Sequence, residues 1–250
     1  MKFYFLTIIC KFYKWKIDNF FKKNKISFIV SHYNESFDYL KILPNNQKIY
    51  LYIKGKVKRK LPKKKNIKII SLPNYGREEH VYTYHIKKNY NKLTNINFFF
   101  IASFYDITQI QKFKRFSKVY KSISKDRNEK KNLYLSENDS ILYKINYFKK
   151  RKIQKTINPY FTKVRHVSNK KRLNLKKAKK RPLIEWFKYY FPNKSLYHLS
   201  SMNGIFAVKK NNIKQIPRKT FVEINKEYNQ RDASYESGHY LERLYPSIFS

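Results

Sequence analysis

The run INFFFIA at residues 96–102 limits what this chain can fold into more than any other feature. The protein has 250 residues, 57 of them Lys or Arg, yet this stretch offers almost nothing to solvent. A strand that reads as a near-continuous apolar run belongs in the middle of a sheet covered on both faces, as in α/β proteins. The flanking sequence supplies the rest of such a sheet. ISFIVS, starting at Ile26, reads as a buried strand, ESFDYLKIL as a short helix, and KIYLYI and IKIISL as two further strands. A helix is predicted from Gly76 to Leu93. Beyond INFFFIA, residues Ile107, Ile110, Phe113, Phe116, Tyr120 and Ile123 fall near helical spacing. LIEWFKYYF sets Leu183, Trp186, Phe187, Tyr190 and Phe191 on one helical stripe, IFAVK reads as a strand and TFVEINKEY as a helix. Leu241, Leu244, Tyr245 and Ile248 then recur at i, i+3, i+4 and i+7, so the last helix packs one face. The expected fold is a single α/β domain over residues 25–250, Rossmann-like, with a mixed sheet flanked by helices.

Two regions sit outside that alternation. Residues 1–24 mix aromatics with Lys and are expected to form a basic extension, lying on a membrane or on the domain surface, or poorly ordered. Residues 144–181 lack acidic side chains and any steady period, and read as a basic, flexible insertion.

The formal net charge is +41. Such a balance points to polyanionic partners, because Lys and Arg gain free energy by releasing counterions from phosphates. The distribution weakens that reading. Two acid-free stretches, between Asp38 and Glu78 and between Asp139 and Glu185, hold 28 of the 57 basic residues. Lys far outnumbers Arg, alongside abundant Asn, Ile, Phe and Tyr, all residues with A/T-rich codons, so a biased genome accounts for much of the excess. Lys is also a point charge rather than a bidentate phosphate reader. The expected consequence is non-specific polyanion binding at low salt. The single cysteine, Cys10, rules out an internal disulfide framework and suggests the cytoplasm or another reducing intracellular compartment. No apolar run reaches the roughly 18–20 residues a membrane-spanning helix needs.

The informative residues are the scarce ones. Only four glycines occur, Gly55, Gly76, Gly204 and Gly238, each bordering a predicted element, where backbone geometry requires them. Acids and histidines concentrate in SHYNESFDYL, NYGREEHVYTYHI and GHYLERLY. The first segment places Ser31, His32, Asn34 and Glu35 at the C-terminal end of a buried strand, where open α/β sheets bind ligands; alternatively Asn34 or Ser36 simply caps the next helix. In the second, Glu78 and Glu79 occupy the first turn of a helix and already satisfy its positive end. That leaves Arg77, with Asn74 and Gly76 beside it, to meet a negatively charged substrate. His85 reads as a hydrogen-bonded histidine at the core edge and His80 as a rim residue. In the third, His239, Glu242 and Arg243 flank the leucine stripe and either reach a cleft together or form a structural ion-pair network.

The ordered segments FIVSHYNESFDYL, IYLYIKG, LPNYGREEHVYTYHIKKNYNKL, INFFFIASFYD, EWF with its following YF, NGIFAV and GHYLERL resemble the family catalogued as domain of unknown function 3431. The resemblance spans residues 26–249 and is thinnest over 144–181. Members of that family look like glycosyltransferases of the GT-A type, so it implies a GT-A-like domain that binds a nucleotide-activated sugar and transfers it to an acceptor. It places Ser31 to Glu35 at the nucleotide edge, Asn74 to Glu78 at the rim and Glu242 near the acceptor. The roles that follow are Glu242 as base or acceptor-positioning group, with His239 beside it, Arg77 and Arg243 for charge stabilisation, and Asp106 for metal or ribose. Metal-dependent GT-A enzymes use two carboxylates after the strand that INFFFIA would form, to hold Mn or Mg. Here ASFYD supplies Asp106 alone, and Ala102, Ser103 and Ile107 stand where the family tends toward Gln-Gly and Asp-His. The other expectations are a nucleic-acid-binding protein using the two acid-free stretches, and a non-catalytic, degenerate family member.

Overall fold

The computed structural model describes residues 2–55, 60–128, 130–135, 175–196, 204–230 and 234–250. The chain opens with α1 (Lys2–Phe20) and β1 (Ile26–His32), makes a 3-10 segment at Phe37–Ile42, and continues through β2 (Lys48–Ile53), β3 (Ile67–Ser71), α2 (Arg77–Asn89) and β4 (Ile96–Ile101). Next come α3 (Ile110–Lys125) and the two-residue strands β5 (Leu133–Tyr134) and β6 (Leu175–Lys176). The last part comprises α4 (Leu183–Tyr190), β7 (Phe206–Lys209), α5 (Lys210–Lys214), α6 (Arg218–Lys226), β8 (Ser234–Tyr235) and α7 (Glu236–Phe249).

Six strands form one mixed sheet in the order β3-β2-β1-β4-β7-β5. β1 to β4 are mutually parallel where they pair, β7 runs antiparallel to β4, and β5 antiparallel to β7. The INFFFIA run is β4, and every residue of it from Ile96 to Ile101 is buried. Strand alternation divides the core between the two faces. Phe98 and Phe100 join Phe28, Val30, Leu51 and Ala207 on one side; Phe99 joins Ile29, Tyr52, Phe206 and Val208 on the other. Each such side chain, fully withdrawn from water, contributes about 1.5–3 kcal/mol before the entropy of ordering it is counted. Helices α2, α4, α6 and α7 cover the Phe99 face, while α1, α3 and the 3-10 segment cover the Phe98 face.

Residues 2–20, expected as an extension, form a helix whose Cys10, Tyr13 and Ile17 are buried in the core on the Phe98 face. Phe3 packs edge-on against Tyr105 and Phe113, tying α1 to α3 and to the loop after β4. Of the expected basic insertion, residues 144–174 lie outside the described residues. Its last part is anchored: β6 pairs parallel with β8, the Ala178 N–H donates to Glu236 at 3.0 Å, and Arg181 pairs with the fully buried Glu236 carboxylate at 2.7 Å. No helix among the described residues is long and apolar enough to cross a membrane.

Candidate functional site

The chain adds strands outward from β1 to β3, then returns to place β4 on the other side of β1, so the strand order reverses between β1 and β4. At such a switch point the two connecting loops diverge, leaving a crevice beyond the C-terminal ends of the strands. The loop after β1 carries Tyr33, Asn34 and Glu35; the loop after β4 carries Ser103 to Asp106.

All four glycines cluster at this end of the sheet. A side chain on Gly55 would collide with Asn34, and one on Gly76 would run into the Tyr228 ring. A side chain on Gly204 would press on Glu78 and Tyr82, and Gly238 abuts Glu79 and Tyr228. Gly76 and Gly204 also adopt positive φ, 47° and 56°, which other residues reach only with strain. Three of the four, Gly76, Gly204 and Gly238, stand where segments from both halves of the sequence meet around the N-terminal turn of α2.

That turn is held from below. Lys54, at the end of β2, is buried, and its ammonium donates to the carbonyls of Tyr75 and Arg77. Arg77, itself at φ 49°, keeps 47 % of its side chain exposed, with Nε 3.7 Å from Glu78. The carboxylates of Glu78, Glu79 and Glu242 all act on this guanidinium and push its pKa up, Glu78 most strongly. Glu79 is buried, and desolvation together with Glu78 and Glu242 raises its pKa well above the ordinary carboxylate range. The buried hydroxyls of Tyr228, Ser237 and Tyr245 lie in this part of the molecule and form no hydrogen bond among the described residues. Gly76, Arg77, Glu79, Tyr235, Gly238 and His239 line a narrow cleft that leaves no interior room for a water molecule.

A residue not singled out from the sequence connects this cluster to the crevice. Lys112, in the first turn of α3, is partly buried, and burial lowers its pKa. Glu78, Arg77, Glu35 and Asp106 are all close enough to act on its ammonium. Its Nζ also lies 3.4 Å from Ser103 Oγ. Among 57 basic residues nothing in the sequence distinguishes this one; only the fold does.

Glu35, Arg77, Glu78 and Asp106 lie within electrostatic reach of Lys112, Glu242 within reach of Arg77, and His239 lines the same narrow cleft as Gly76 and Arg77. Arg243 lies 3.7 Å from Glu242 and donates to the His239 carbonyl at 2.7 Å. Asp106 is exposed on the rim, where its Oδ1 accepts from the Thr108 N–H and hydroxyl, which lower its pKa. Asn74 is half-buried in the turn before α2, and Asn34 is exposed against Gly55. His32 is different. It is 1 % exposed, bonds Tyr39 at 3.1 Å, stacks on Phe37 and lies 3.8 Å from the Glu35 carboxylate, so it supports the β1 loop from within, behind Glu35. Ser31 is half-buried in the last part of β1, and Ser36, rather than Asn34, caps the 3-10 segment. His80, expected at the rim, is buried beneath α6, where Asn225 donates to its carbonyl. His85 meets its expectation, bonding the Tyr52 hydroxyl at 2.8 Å. Among the described residues no three His, Cys, Asp or Glu side chains converge as a metal site.

Residues 28–250 match the model of a family described as "Protein of unknown function (DUF3431)", and the chain belongs to that family. No curated protein and no solved structure matches it.

Proposed function

We propose that the protein binds a nucleotide-activated sugar in the crevice between the ends of β1 and β4 and transfers the sugar to an acceptor hydroxyl. One observation supports this reading: Lys112 stands within reach of Arg77 and of the carboxylates Glu35, Glu78 and Asp106 at the topological switch point between the parallel strands β1 and β4. Cations there suit a diphosphate, and carboxylates suit the hydroxyls of ribose and sugar. The antiparallel β7 beside β4 adds a second wall, carrying Gly204 against Glu78, and the strand order is compatible with a Rossmann-like, GT-A-like arrangement.

In the proposed step the acceptor oxygen forms a bond to the anomeric carbon as that carbon's bond to the diphosphate oxygen breaks. Glu242 takes the acceptor proton, and the charge that develops on the departing diphosphate is met by Arg77 and Lys112. Arg243 stands 3.7 Å from Glu242, beside the acceptor position. Asp106 contacts ribose, its Oδ1 held by the Thr108 N–H and hydroxyl. A thermal-shift screen of UDP- and GDP-sugars, with and without manganese, tests the reading. A rise in melting temperature with one donor, lost in Lys112→Ala, supports it; no shift with any donor counts against it.

A further inference from the structure

Helix α1 has two apolar faces, and only one is used by the fold. Cys10, Tyr13 and Ile17 are buried against the core. On the opposite side Tyr4, Phe5, Ile8, Phe12 and Trp15 are 74, 64, 65, 51 and 52 % exposed. Their spacing aligns them in one stripe along the helix. With Phe20, α1 holds six of the ten large apolar side chains exposed among the described residues, so the exposure belongs to one element and is not scattered.

The borders of the stripe show what fits it. At helical spacing Lys11 runs along one edge and Lys16 along the other, with Lys16 Nζ 4.7 Å from the Phe12 ring centre. At its C-terminal end Asp18 accepts from the N–H groups of Asn45 and Asn46, joining α1 to a groove of ≈ 710 Å³. That groove is lined by Lys23, Lys48, Lys64, Lys65 and Lys68, with no acidic residue among its walls. A band of Trp, Tyr and Phe edged by Lys and continuing into an acid-free basic groove matches a bilayer interface: rings enter the headgroup boundary and ammonium groups meet lipid phosphates. A second copy of this chain fits poorly, because apposed stripes would bring Lys11 and Lys16 together in a protein of net charge +41.

We propose that α1 is a membrane-interface anchor that lays its outer face on an anionic lipid surface, the basic groove holding headgroups beside it. The test mixes the full chain with vesicles of phosphatidylcholine alone or with added phosphatidylserine, read by flotation and by quenching of tryptophan emission with brominated lipid. Trp15 is exposed and Trp186 fully buried, so quenching reports α1. The expected result is flotation and quenching with phosphatidylserine vesicles that decline with salt. Phe5→Ser/Phe12→Ser and Lys64→Glu/Lys65→Glu each weaken partitioning about tenfold or more, with unchanged thermal melts. Absence of flotation, or flotation of Phe5→Ser/Phe12→Ser equal to wild type, overturns the proposal. So does self-association abolished by the same substitutions without vesicle binding, which makes a second copy the occupant, or RNA binding through the groove without vesicle binding.

Discussion

At the residue scale, burial shifts the titration of several groups in and behind α2, and with it the stability of the fold. Glu79 is more acidic in the unfolded chain than in the fold, because desolvation and the neighbouring Glu78 and Glu242 raise its pKa. The native state therefore keeps a proton that the unfolded state releases, and stability is lost as pH rises above the ordinary glutamate value of 4.5. Glu79→Gln removes that dependence; we expect a gain of about 1–2 kcal/mol at pH 8 in urea melts, vanishing near pH 4. His80 and His85 act in the opposite sense. Burial pushes both down to about 3, so the unfolded chain binds protons that the fold refuses, and stability falls as pH drops from 6.5 toward 3. Proton NMR should show both imidazoles still neutral at pH 5. Gly204→Ala, at φ 56° and pressing on Glu78, should cost about 1–2 kcal/mol in the same melts. Several of these residues were legible in the sequence, because acids, histidines and glycines are scarce and stand out. Lys112 was not: one functional Lys has no signature in a Lys-rich chain. His80 was misjudged for a different reason, since its burial depends on α6, which the local sequence does not contain.

At the element scale, period and apolarity gave the four parallel strands and helices α2, α3, α4, α6 and α7. They could not give β5, β6 and β8, two-residue strands that exist only because distant partners pair with them, or the antiparallel direction of β7. Nor could they decide the place of α1. A helix apolar on both sides has no preferred face, and Ile17 and Phe12 look equivalent until the core selects one. The two should respond differently. Ile17→Ala should destabilise by about 2–5 kcal/mol, whereas Phe12→Ser should change folding stability by less than about 0.5 kcal/mol, both measured by denaturant unfolding.

At the scale of the whole molecule, the charge of +41 is a load on the fold. Like charges spread over one small protein repel one another, and salt screens that repulsion. The melting temperature should rise by several degrees between low and high salt, in contrast to a protein held by surface ion pairs. Against this background the crevice is the exception: there acids and cations from β1, α2, the β4 loop, α3 and α7 are brought within reach of one another. Whether that meeting is a binding site is best measured by calorimetric titration of UDP- and GDP-sugars into wild-type protein and into Lys112→Ala and Arg77→Ala. We expect saturable binding of one donor by the wild type and a loss of about tenfold or more in each variant. Absence of binding to every donor, or variants that bind as well as wild type, would contradict a nucleotide-sugar site at this sheet edge.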